Sequence, residues 1–296
     1  MVALYISIIM LMRVLQSLFS KRASSTVPDG VKPYITYISV MEFMAAGFAL
    51  ITLMINREFA FPAPREIIIA ACSGCFLAFN SLCGIKALKG GTMALSSVFS
   101  TSGMLIPCIL GAAFFDEPMS PIQVLCIAAL LASTVLLISS SKKIFNGFSP
   151  KMLFWLIGSM LSNGMVMFAQ KLFGMTCENG NVSAFSMLTF LIPATALAVA
   201  IPFVGKADKT RANADPFPRV LVLYAAVLAF AVFIVQQFVT LLTPMLSSAV
   251  LFAFVNGGAT IITTIVGATV YKEKVTVKSA LGVLIGIGAL ILIKVF

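Results

Sequence analysis

Histidine is absent from this chain of 296 residues, and charge of either sign is scarce, at 10% of residues against about 25% in an average globular chain. Without imidazole there is no ordinary general base at neutral pH and none of the commonest zinc ligand. Only ten residues are acidic, and nine of them, all but Glu42, fall in loops or at helix ends. A membrane enzyme needs ionisable groups converging inside the bilayer, so a metal-dicarboxylate transferase has nothing to build with. No Gly-x-x-x-x-Gly-Lys-Ser/Thr phosphate loop occurs, and no cofactor is expected. The six cysteines, Cys72, Cys75, Cys83, Cys108, Cys126 and Cys177, form no disulfide framework and read as small apolar packing residues. Cys72-x-x-Cys75 has no second pair and no preceding strand, which argues against zinc or redox chemistry.

What the chain has instead is length of apolar sequence. Hydrophobic residues make up 60% of it, and the mean hydropathy is +1.07. A hydrocarbon core about 30 Å thick needs about 20 apolar residues of helix. Ten stretches approach or exceed that: Val2 to Ser20, Tyr34 to Ile55, Ile67 to Lys86, Thr92 to Phe115, Pro121 to Ile138, Met152 to Phe173, Ser183 to Val204, Val220 to Leu241, Ser247 to Tyr271 and Val277 to Ile293. The expected fold class is therefore an all-α integral membrane protein of ten transmembrane helices. The longest gap, Gly205 to Arg219, is a loop rather than a domain. The first span lacks a basic leader and a small-residue cleavage site, and is expected to be retained.

The net charge of +10 does not point to nucleic acid, because the basic residues sit singly or in small groups beside helix ends, with no basic stripe interleaved with aromatics. They read as orientation charges. Loops after odd-numbered spans hold fifteen Lys and Arg; loops after even-numbered spans hold Arg57, Arg65 and Lys171, with Lys294 in the tail. The positive-inside rule then puts the odd loops in the cytoplasm and both termini outside.

The chain also repeats itself. Gly111-Ala112-Ala113-Phe114-Phe115-Asp116-Glu117 matches Gly267-Ala268-Thr269-Val270-Tyr271-Lys272-Glu273 at an offset of 156 residues. Thr92-Met93-Ala94-Leu95-Ser96-Ser97 matches Thr243-Pro244-Met245-Leu246-Ser247-Ser248 at 151. The halves are residues 1–145 and 146–296. Five spans per half is an odd number, so the second copy enters the membrane in the opposite sense, an inverted repeat.

At these residues the chain resembles the drug/metabolite transporter superfamily, in its ten-helix EamA-type form. The resemblance rests on Ala87-Leu88-Lys89-Gly90-Gly91-Thr92-Met93-Ala94-Leu95, Pro107 and Glu117-Pro118-Met119-Ser120-Pro121-Ile122-Gln123 in the first half. In the second half it rests on Glu273-Lys274-Val275-Thr276 followed by Gly282, Ile285 and Gly288. It implies a secondary transporter of the cell membrane that exports or exchanges a small metabolite or drug by alternating access. It also implies both termini in the cytoplasm, against the charge count.

Polar residues within the spans are the candidate substrate-binding set: Arg13, Gln16, Glu42, Asn80, Asn163, Gln236, Gln237 and Asn256. A charge near a helix centre costs about 2.5 to 3.5 kcal/mol on insertion scales, so Arg13 and Glu42 are expected to face a cavity or each other. They lie at similar depth, about 10 to 12 Å from their shared loop. Arg13, Gln16, Ser17 and Ser20 share one helix face, as do Ser159, Ser162, Asn163 and Gln170; an offset of 150 aligns Arg13 with Asn163 and Ser20 with Gln170. Asn256-Gly257-Gly258 is expected to loosen the ninth span. Lys86 and Lys89, near a helix end, are expected to snorkel to the interface. Gly282-x-x-x-Gly286 permits close helix packing within the chain or a homodimer. The expected partners are a small-molecule substrate and membrane lipid, not nucleic acid. A membrane channel or a non-transporting scaffold is the alternative; the absence of a repeated filter motif weighs against the former and the two polar stripes against the latter.

Overall fold

A computed structural model describes residues 1–28, 30–56, 62–90, 93–139, 150–177, 180–204, 219–262, 265 and 277–295. Among the described residues there is no strand. The helices are α1 (Val2–Thr26), α2 (Val31–Asn56), α3 (Pro64–Gly90), α4 (Met93–Ser102), α5 (Leu105–Phe114), α6 (Pro121–Ser139), α7 (Pro150–Thr176), α8 (Val182–Val204), α9 (Arg219–Leu242), α10 (Ser248–Phe252) and α11 (Val277–Val295). A π segment, Ala253–Gly258, continues α10, and ordinary helix follows it to residue 262. Among the described residues six helices, α1, α2, α3, α7, α8 and α9, are long and apolar enough to cross a membrane. Shorter apolar helical stretches, Phe99–Phe114, Pro121–Leu136, Ser248–Ile262 and Ala280–Ile293, fall where the other four spans are expected. Gly91, Thr92 and the second-half echo, Gly267 to Glu273 with Lys274 to Thr276, lie outside the described residues.

The helix ends follow local chemistry. At the start of α6, Ser120 Oγ accepts from the Gln123 N–H (3.2 Å) while Gln123 Oε1 accepts from the Ser120 N–H (3.1 Å). That is a capping box, with Pro121 at the first helical position, where its missing N–H costs nothing. Asn181 Oδ1 accepts from the Ala184 N–H (2.9 Å) to start α8.

Two of the expected spans are not continuous α-helix. The fourth breaks at Gly103 and Met104 into α4 and α5. Pro107 explains the place, because it cannot donate to the Gly103 carbonyl one turn back and its ring crowds that carbonyl. The ninth span passes through the π segment, which contains the Asn256-Gly257-Gly258 expected to loosen it. Thr101 and Thr260 hydroxyls meet at 2.9 Å, so the two irregular spans touch.

Packing joins α2 to α8, α3 to α7, α6 to α11 and α1 to α9, with further contacts of α3 on α8, α2 on α9, α5 on α7 and α1 on the π segment. One apolar core gathers Ile9, Met104, Leu130, Val239, Phe252 and Leu290; another gathers Tyr37, Ile38, Ala45, Phe190, Leu228 and Phe233. The Gly282 and Gly286 stripe of α11 is used inside the chain, since Ser133 Oγ on α6 donates to the Gly282 carbonyl at 2.6 Å. Lys86 Nζ stands over the face of the Trp155 ring, 4.4 Å from its centre; the Lys89 side chain lies outside the described ones. Cys83, Cys108 and Cys126 are buried packing residues, whereas Cys72 and Cys75 are exposed on the outer side of α3, which corrects the reading of that pair as packing.

One of the close crossings is α4–α5 on α7. A Cβ on Gly164 would stand 2.5 Å from the Gly103 carbonyl oxygen and 2.5 Å from Ile106 Cδ1, one of them immovable backbone. Gly164→Ala is therefore expected to lose about 1–3 kcal/mol through overpacking. Gly47→Ala, in open space within α2, is expected to be neutral or to gain up to about 1 kcal/mol from lower unfolded-state freedom. Thermal unfolding in one detergent compares them, and equal melting temperatures would refute the crossing.

Candidate functional site

Where water is excluded, each polar group inside the bundle has to find its partner in the protein, and most of the candidate residues do so. Asn80 Oδ1 on α3 accepts from Ser159 Oγ on α7 at 3.0 Å. Asn163 on α7 donates to the Ser100 carbonyl at 3.0 Å. Gln237 ties α9 to α8, donating to Ser183 Oγ (2.8 Å) and accepting from Ser186 Oγ (3.1 Å). Gln236 Oε1 accepts from Gln170 Nε2 at 2.7 Å, leaving its own Nε2 buried without a partner. Asn256 donates to the Phe252 carbonyl within its own helix (3.2 Å) and to Met167 Sδ (3.3 Å).

Arg13 and Glu42 do not pair. The physical reason is packing: α1 lies against α9, the π segment and α3, whereas α2 lies against α8, α9 and α3. Arg13 Nη1 reaches Gln16 Oε1 at 3.3 Å on its own helix, while its Nε is buried with no acceptor. Glu42 is 1% exposed, and both its carboxylate oxygens lack a hydrogen-bond partner. Ser73 Oγ on α3 and Thr189 Oγ1 on α8 are buried and unpartnered as well.

The opposite case is Lys171, which sequence reading places among the loop charges. It belongs to α7 and is 1% exposed. Its ammonium has three donors and uses all of them: Glu117 Oε1 at 2.5 Å, the Thr243 carbonyl at 2.7 Å and the Leu246 carbonyl at 3.0 Å. Glu117 Oε2 in turn accepts from the Ser248 N–H at 2.9 Å, at the first residue of α10. Partial burial works to raise the Glu117 pKa, but the hydrogen bonds from Lys171 and the Ser248 N–H win, and it stands below the ordinary carboxylate value. Gly174 lets the turn after α9 approach, since a Cβ there would overlap Thr243 Oγ1. A cavity of about 120 Å³ adjoins the pair, lined by Cys108, Gln123, Ser247 and Ser248 among others. The signal that could have found this cluster is Lys171's position inside the span Met152 to Phe173, next to Gln170 of the polar stripe. Removing it from the loop charges leaves only Arg57 and Arg65, with Lys294 in the tail, against the fifteen.

No family model matches the chain, and no curated protein matches it. Among solved structures it is similar to one described simply as the crystal structure of a protein, at 14% sequence identity and a TM-score of 0.77, over 99% of this chain and 96% of that one. At that identity the likeness speaks for the fold alone, which is shared over nearly the whole length of both chains.

Glu117→Ala strands a buried ammonium and is expected to cost about 3–5 kcal/mol, more than Lys171→Met, which leaves a carboxylate that can turn toward solvent. Because the folded Glu117 pKa is depressed, the stabilisation is complete above the ordinary value of 4.5 and is lost as pH falls through the folded value. Unfolding measured from neutral to acid pH checks this: wild type should soften in acid by more than Glu117→Gln does, and equal acid sensitivity would refute it.

Proposed function

We propose that this protein is a secondary transporter of the cell membrane, carrying a small metabolite or drug by alternating access between two inverted five-span halves, residues 1–145 and 146–296. The observation that carries the reading is Glu42. This fold satisfies a buried charge fully at Lys171, yet it leaves the Glu42 carboxylate buried with neither oxygen hydrogen-bonded. A buried unsatisfied charged group is expensive, and within a membrane it reads by default as functional. In the proposed cycle Glu42 receives the cationic group of the substrate or a coupling ion. Arg13, with its unpartnered Nε, receives an anionic group, and Gln236 offers its free amide nitrogen.

Support for the repeat comes from packing. Exchanging α1 with α7, α2 with α8, α3 with α9, α4–α5 with α10 and the π segment, and α6 with α11 turns the contact of α1 on α9 into that of α7 on α3. It likewise turns α2 on α9 into α8 on α3. The two irregular spans occupy equivalent places, as broken helices at transporter sites do.

Two measurements test this. Glu42→Gln removes the charge and keeps the shape, so the melting temperature should hold or rise. Flux in proteoliposomes, screened over amino acids, sugar phosphates, nucleotide sugars and cationic drugs, should fall at least tenfold for the solute that wild type carries; undiminished flux would remove Glu42 from the pathway. For the topology, Cys177 and a Pro28→Cys residue should react with an impermeant thiol reagent from opposite faces, and reaction from the same face would sink the inverted repeat.

A further inference from the structure

We infer that the Lys171–Glu117 cluster is a latch holding one face of the transport pathway shut, and that its parting opens that face. This rests on the transport reading. The cluster joins the two halves: Glu117 comes from the connection between α5 and α6, and Lys171 and its carbonyl acceptors Thr243 and Leu246 from the second half. All of Lys171's partners stand on connections between helices rather than on helix faces, and these are the elements able to move apart without unwinding the bundle.

The chemistry suits a latch better than a staple. A buried ion pair adds little that well-packed apolar residues would not add. It does, however, separate into water at low cost, because each ion recovers its hydration as the face opens, whereas an apolar seal exposes hydrocarbon. The adjoining cavity of about 120 Å³ is lined by both Glu117 and the buried Cys108 on α5, so parting the cluster enlarges a space that already touches Cys108. The two ends of the repeat also differ in state. The offset of 150 that aligns Ser20 with Gln170 aligns Lys21 with Lys171, and Lys21 is exposed where Lys171 is buried. One end carries a closed latch while its counterpart lysine faces out, the asymmetry that alternating access requires.

Native cysteines report the opening. Cys108 lines the cavity and is buried, and Cys83, buried toward the other end of α3, serves as the internal control. The protein in lipid nanodiscs is treated with an impermeant maleimide, and labelled peptides are quantified by mass spectrometry. Glu117→Gln should raise Cys108 labelling at least tenfold over wild type with Cys83 unchanged. If the stranded lysine prevents folding, the double variant Glu117→Gln with Lys171→Gln, which leaves no lone buried charge, carries the same expectation. Unchanged Cys108 labelling in a folded variant overturns the latch. A parallel rise at Cys83 also overturns it, since the cluster would then be a staple for the whole bundle. Selective opening at Cys108 with no flux of any solute keeps the latch and counts against transport; flux in wild type with Cys108 shut in both variants does the reverse.

Discussion

An ammonium group removed from water has three N–H bonds to satisfy, and Lys171 satisfies them with one carboxylate and two backbone carbonyls drawn from two separate segments, the α5–α6 connection and the turn after α9. This interaction organises one end of the molecule. It brings the turn after α9 down onto α7, where Gly174 leaves room for it. It fixes the connection that leads into the capping box of α6, and through Ser248 it sets the start of α10. Lose the ammonium and the Thr243 and Leu246 carbonyls lose the donor that holds them, while Glu117 is left free to turn toward solvent.

Against that fully satisfied charge, Glu42 stands out. The same fold that recruits three acceptors for a lysine supplies no donor for a carboxylate buried on α2. Asn80, Asn163 and Gln237, by contrast, are spent on joining helices, which leaves them less free to meet a solute. The interior thus sorts into polar groups that hold the bundle together and a few, Glu42, Arg13 Nε and Gln236 Nε2 among them, that the bundle does not use. The irregular backbone lies in the same interior: the break before Pro107 and the π segment free carbonyls and place Thr101 against Thr260.

Much of this was legible in the sequence, for physical reasons that belong to single segments. Runs of apolar residues favour helix, so among the described residues six helices long enough to cross a membrane and four shorter apolar ones fall at the expected stretches. The loosening at Asn256-Gly257-Gly258 and the start of α6 are local chemistry too. Other features depend on which helix faces which. Arg13 and Glu42 have equal depth, but depth is a property of one helix while pairing needs two to be neighbours, and α1 packs on α9 instead. Lys171 looked like one more basic residue near a helix end because its partners are 54, 72 and 75 positions away.

The sequence by itself determined that this is a helical membrane-type chain, where its apolar helical stretches lie, and which few polar residues those stretches contain, because hydropathy and helix periodicity act over tens of residues. Only the tertiary structure decided which of those polar residues are satisfied and which are left over. A hydrogen bond is made across a few ångströms between segments remote in the chain, and no local pattern records which two segments will meet.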